Sequence, residues 1–120
     1  MKFYKNEATG EFTAVREGEA FDAAGMTEVI PNTTDAAKEK HVPVITREGQ
    51  TVTVAVGDVA HPMLENHYIQ WILLETKNGE QRAELSPGEE PCAQFFVEEE
   101  DEVLAAYELC NLHGLWKGTL

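Results

Sequence analysis

From Val42 onward the chain is a succession of short runs in which apolar and β-branched residues alternate and turn-forming residues intervene, a pattern that leaves room for little besides antiparallel sheet. Val42-Pro-Val-Ile-Thr46 and Thr51-Val-Thr-Val-Ala-Val56 flank the turn Arg47-Glu-Gly-Gln50, and their alternation sends successive side chains to opposite faces. A longer run, Tyr68-Ile-Gln-Trp-Ile-Leu-Leu-Glu-Thr76, meets Asn78-Gly79, the pair suited to the positive φ angles of a type I′ hairpin, and returns as Glu80-Gln-Arg-Ala-Glu-Leu85. Ser86-Pro-Gly-Glu-Glu-Pro91 is another turn, followed by Cys92-Ala-Gln-Phe-Phe-Val97. Val103-Leu-Ala-Ala-Tyr-Glu-Leu-Cys110 would pass locally for helix, but within a succession of strands at this spacing a strand is expected. Roughly seven strands in about 80 residues predict an all-β fold built as an antiparallel sandwich.

The residues before Val42 have a different character. Short, weakly apolar strands (Glu11–Val15, Thr27–Ile30) are separated by Gly10, Gly18 and Gly25, so a small β appendage with little core of its own is expected. Pro31-Asn-Thr-Thr-Asp35 is a polar linker, and Asp35–Lys40 has room for a turn or two of helix before Pro43. The boundary falls between 31 and 38, giving an N-terminal region of 1–34 and a main domain of 35–120.

With 9 Lys and Arg against 22 Asp and Glu, the formal charge is −13. Nucleic acids and anionic membrane surfaces, which recruit clustered basic residues, are disfavoured partners. No apolar run reaches the roughly 18 residues needed to span a bilayer, and the first residues lack the apolar core of a signal peptide, so a cytoplasmic protein is expected. Two cysteines, Cys92 and Cys110, do not make a disulfide framework; each reads as a buried small hydrophobe or a metal ligand.

Chemistry concentrates in the histidines. His41, His61, His67 and His113 each sit where a strand begins or a loop turns; His61 and His67 share one loop, and Cys110-Asn-Leu-His113 sets a thiol and an imidazole three residues apart. Taken singly, each histidine reads as an ordinary surface or core residue. Taken as one site they form a His4Cys donor set. Structural zinc prefers four protein ligands and catalytic zinc three plus water, so five fit neither. A His2Cys copper site competes, although no Met follows His113 to serve as the weak axial ligand, and iron with five protein ligands keeps one of six positions open.

Glu39-Lys-His-Val-Pro43, His61-Pro-Met63, His67-Tyr-Ile-Gln-Trp71 and Cys110-Asn-Leu-His-Gly114 together resemble the signature of the superoxide reductases, the desulfoferrodoxin and neelaredoxin family, over about Asp35 to Lys117. The resemblance implies an immunoglobulin-like sandwich and a mononuclear non-haem iron. His41, His61 and His67 would bind it equatorially through Nε2, His113 through Nδ1, and Cys110 as the axial thiolate. It implies one-electron reduction of superoxide to hydrogen peroxide, with Lys40 attracting the anionic substrate, Glu39 as sixth ligand of the oxidised resting state, and a rubredoxin as electron donor. Two-iron relatives carry four further cysteines in an N-terminal desulforedoxin-like region. Here Asn6, Thr9, Ala23 and Ala24 stand in their places, which implies an appendage without metal, supporting a homodimer. Cys92 matches no ligand motif and is expected to be a strand residue. A non-catalytic, cupredoxin-like electron carrier is the alternative of a different class.

Overall fold

The alternating runs become strands along the whole chain, residues 1–120, in a computed structural model. Strands β1 (Lys2–Asn6), β2 (Phe12–Val15) and β3 (Met26–Val29) precede a single helical turn, α1 (Lys38–His41). Seven strands follow: β4 (Pro43–Glu48), β5 (Thr51–Val56), β6 (Ile69–Thr76), β7 (Glu80–Glu84), β8 (Cys92–Phe96), β9 (Val103–Cys110) and β10 (Gly114–Gly118). The sheets run β2-β1-β3, β4-β5-β8 and β10-β9-β6-β7, all antiparallel. The latter two face each other as the expected sandwich, enclosing Ile45, Val54, Ile72, Leu74, Phe95 and Ala106 among others.

β6 and β9 are buried on both faces, which explains why β9 reads locally as helix: a strand covered on two sides has no polar face to alternate. The inner face carries Ile72, Leu74, Ala106 and Cys110. The outer face carries Trp71, Leu73, Tyr107 and Leu109, with Leu115 of β10, and the N-terminal sheet covers them through Phe3. A register shift between Ile69 and Trp71 lets Ile69 face inward although Trp71 faces outward. Within 1–34 only Phe3 and Val15 are fully buried, so the appendage has little core apart from the one it shares. Asn32, at φ 64°, pairs with the edge of β10: Lys117 N–H donates to its Oδ1 (2.7 Å) and its Nδ2 to Lys117 O (3.1 Å).

Two details depart from the sequence reading. The β6–β7 hairpin closes on Thr76 and Gly79 (N···O 2.9 and 3.4 Å), so its central pair is Lys77-Asn78. Neither Asn78 nor Gly79 has positive φ, and the turn is not type I′. The cause lies in the neighbouring loop, where Asp101 accepts from the Thr76 hydroxyl (2.6 Å) and the Asn78 N–H (3.1 Å), overriding local turn preference. The second departure is β10, too short in apolar pattern, with Gly114 and Gly118 at its ends, to stand out in the sequence.

Candidate metal centre

Four separate segments meet at one end of the sandwich. α1 ends at His41, the β5–β6 loop brings His61 and His67, β9 ends at Cys110, and the following turn carries His113. One ligand-type atom from each of these five residues lies within 4.8 Å of all the others. The imidazoles form a closed ring in which each stands edge-on to the next: His41–His61 (4.7 Å, 71°), His61–His67 (4.7 Å, 81°), His67–His113 (5.1 Å, 78°) and His113–His41 (4.9 Å, 86°). His41, His61 and Cys110 are buried, whereas His67 and His113 are half-buried, so the cluster opens to solvent on their side.

Backbone carbonyls orient two of the rings. His41 Nδ1 lies 2.7 Å from Ala37 O and His61 Nδ1 2.7 Å from Pro62 O, which places the ring proton of each on Nδ1 and leaves Nε2 bare. The two bare Nε2 atoms then face one another at 3.2 Å, and His61 Nε2 is 3.5 Å from Cys110 Sγ. His67 Nε2 is buried with no hydrogen-bond partner. With no proton between them the two facing Nε2 lone pairs repel, and a buried polar atom without a partner is costly, so the donor set fits a cation placed among them.

Protonation supports the same fit. Burial lowers the pKa of His41, against the pull of Ala37 O, with His113, His67 and Lys40 adding to the effect. Burial takes His61 down to about 4. His67 is lowered by burial, then by His113 and Lys40. These imidazoles are therefore neutral at pH 7 and can bind a cation without first losing a proton. Burial raises the pKa of the Cys110 thiol, opposed by the backbone N–H groups of His113 and Leu112; a cation would draw off its proton.

Glu39 and Lys40 sit on the exposed face of α1, and neither side chain is engaged in an ion pair or hydrogen bond. Their backbone is held from below: Val59 N–H donates to Glu39 O (3.1 Å), and Gly57, at φ 83°, approaches so closely that a Cβ would lie 2.6 Å from the same oxygen. The Lys40 charge reaches the cluster through space, as its effect on His41 and His67 shows. Cys92 opens β8 as a strand residue, its sulfur 3.7 Å from Glu90 and outside the five-residue cluster.

Sequence reasoning missed three contributors. Trp116 stacks on His41 (5.0 Å, 24°) and donates from Nε1 to His113 O (3.0 Å), bracing two histidines at once. Its place shortly after His113 was the available signal. Glu108 is fully buried on β9, two residues before Cys110, both of its carboxylate oxygens lack partners, and burial pushes its pKa well up. Asn111 joins the two ligand-bearing loops.

Comparison with known proteins gives the same picture. The desulfoferrodoxin family model matches residues 33–119. A desulfoferrodoxin of Clostridium acetobutylicum is 38% identical over 100% of this chain and 97% of its own, and one of Syntrophotalea carbinolica is 44% identical over 97% and 94%. Among solved structures, the superoxide reductase of Treponema pallidum superposes with a TM-score of 0.81 at 40% identity, covering 98% of both chains. The Giardia intestinalis superoxide reductase gives 0.59 at 38% identity, covering 69% of this chain and 98% of its own. With its family model spanning the sandwich and full-length relatives at this identity, the chain belongs to the desulfoferrodoxin family.

Proposed function

We propose that this protein is a superoxide reductase, reducing superoxide by one electron to hydrogen peroxide at a single non-haem iron held by His41, His61, His67, His113 and Cys110. The observation that carries this reading is the closed ring of four imidazoles gathered with a buried thiol, with the bare Nε2 atoms of His41 and His61 facing each other at 3.2 Å. When bound there, iron cycling between its ferrous and ferric states supplies the electron and a coordination position for substrate. The half-buried side of the ring, at His67 and His113, gives a small anion its approach. Lys40 draws superoxide toward that side, and its three N–H donors can order the water that delivers the two protons of hydrogen peroxide. Glu39, on the same turn, is the carboxylate available to close the site in the oxidised resting state.

The electron comes from outside the chain, because Asn6, Thr9, Ala23 and Ala24 offer no second set of thiolates. The same reading takes the donor to be rubredoxin-like, the location to be cytoplasmic and the assembly to be a homodimer. No helix is long and apolar enough to cross a membrane. Stoichiometry tests the activity directly: one donor electron consumed per superoxide and no oxygen evolved. Oxygen release without a donor would make it a dismutase, and no superoxide-dependent turnover would make it a carrier.

Lys40→Ala tests the steering role. A chain of formal charge −13 repels superoxide, so an exposed lysine at the entrance has a large local effect. Stopped-flow capture of superoxide should slow roughly tenfold at low ionic strength, and the deficit should shrink as salt screens the lost charge. An unchanged rate with unchanged salt dependence would remove Lys40 from the mechanism.

A further inference from the structure

The four imidazoles are not oriented alike. His41 and His61 each have a backbone carbonyl on Nδ1, and the His113 turn is held by Trp116. No protein group hydrogen-bonds either ring nitrogen of His67, whose Nε2 is buried and unpartnered. A metal-ligating histidine normally has an outer partner that fixes its ring. For His67 the restraint must come through the backbone, and the structure shows where.

Asn111, directly after Cys110, brackets His67 from both sides. Its Oδ1 accepts from Tyr68 N–H (2.9 Å), its Nδ2 donates to Asn66 O (3.1 Å), and its own N–H donates to Tyr68 O (3.2 Å). Within its loop His67 is tied only to Leu64, by a two-bond bridge (2.9 and 3.1 Å), and the turn's other ties, Gly88 N–H to Met63 O (2.8 Å) and Ile69 N–H to Met63 Sδ (3.4 Å), hold its two ends and leave residues 66–68 to Asn111. The side chain of Asn111 thus locks residues 66 and 68 to the strand end that carries the thiol.

We infer that Asn111 is the positioning residue for His67, setting this imidazole against Cys110 in place of the missing ring partner. Asn111 is exposed, so its side chain can be cut back without opening a core cavity. The inference rests on the five-ligand reading of the site, and its test reads metal retention instead of superoxide turnover.

Full-length protein is loaded with iron(II) under anaerobic conditions, and release into excess chelator is timed for wild type, Asn111→Ala, Asn111→Asp, His67→Ala and the double variant His67→Ala/Asn111→Ala. Asn111→Ala should release iron about 10- to 100-fold faster, the usual cost of losing an outer-shell partner. Asn111→Asp keeps the acceptor for Tyr68 N–H but sets a carboxylate oxygen against Asn66 O, so it should fall between wild type and Asn111→Ala. In the His67→Ala background the Asn111 substitution should add nothing, because the residue it positions is gone. Release from Asn111→Ala at the wild-type rate would overturn the inference. So would additive effects in the double variant, which would mean that Asn111 acts through Cys110 or the fold at large. Wild type that holds no iron would instead defeat the five-ligand reading itself, an outcome distinct from either.

Discussion

Replacing Cys110 by serine is expected to abolish the thiolate-to-iron charge-transfer colour of the oxidised protein and to cut superoxide reduction by at least roughly 100-fold, beyond the 10- to 100-fold typical of outer-shell losses. The sulfur ends β9, is buried, and lies 3.5 Å from His61 Nε2 and 4.0 Å from His113 Nδ1. Burial raises the pKa of its thiol, and the backbone N–H groups of His113 and Leu112 act against that rise in favour of the ionised form. Serine keeps the shape but not the chemistry, since its hydroxyl does not ionise under a cation as a thiol does and is a harder donor. The neighbouring core, from Ile69 to Val56, loses nothing larger than the difference between sulfur and oxygen. Urea unfolding of the metal-free variant should therefore stay close to wild type, within about 1 kcal/mol. Absorption spectroscopy and turnover on the same sample decide the matter: a Cys110→Ser protein that keeps both colour and rate would exclude Cys110 as a ligand.

The residues of the centre are legible in the sequence because ligand chemistry restricts residue type. Imidazoles and thiols are rare beside the 22 carboxylates of this chain, so four His at loop or strand ends and one Cys three residues from the last of them stand out. What orients them is not legible in the same way. The partners of His41 and His61 are the carbonyls of Ala37 and Pro62, groups every residue possesses. Asn111 and Trp116 could be noticed as neighbours of ligands, but the bonds they make go to residues 43 positions upstream, at Tyr68, and to the ring of His41 on another element. The charge distribution is partly legible. The acidic run Glu98–Glu102 precedes β9, whereas Cys110 ends it, so about 24 Å of strand separates the run from the centre. The turn at 86–91 is another matter: Gly88 N–H donates to Met63 O (2.8 Å), which brings Glu89 and Glu90 to the same end as the histidines. The steering proposed for Lys40 would therefore act against acids that the linear sequence sets far away from it.

The N-terminal region is where local pattern informs least, and there a second large effect is expected. Phe3→Ala should destabilise the protein by about 3–5 kcal/mol, the usual cost of deleting a buried aromatic ring. Phe3 lies on β1, the central strand of the N-terminal sheet, and is 1% exposed. Its ring stacks on Trp71 (6.0 Å, 16°) and tilts against Tyr107 (4.7 Å, 55°). The other apolar residues that the region lends to this interface, Met1, Phe12, Ala14 and Val29, are only partly buried. Without Phe3, the bonds left to hold the region are polar: the Met1 ammonium to Glu75 (3.9 Å), Asn32 to Lys117 and Leu115, and Arg16 to the carbonyls of Thr76 and Lys77. The region should then detach at the 31–35 linker, exposing the outer face of β6 and β9 and promoting self-association through an apolar surface meant to be covered. None of the five clustered residues comes from 1–34, so iron content and activity per iron should hold at temperatures where the sandwich stays folded. Limited proteolysis, size-exclusion chromatography and urea unfolding read these consequences separately. A linker that stays resistant, with a midpoint shift worth less than about 1 kcal/mol, would show that Phe3 does not carry the joint between the two parts.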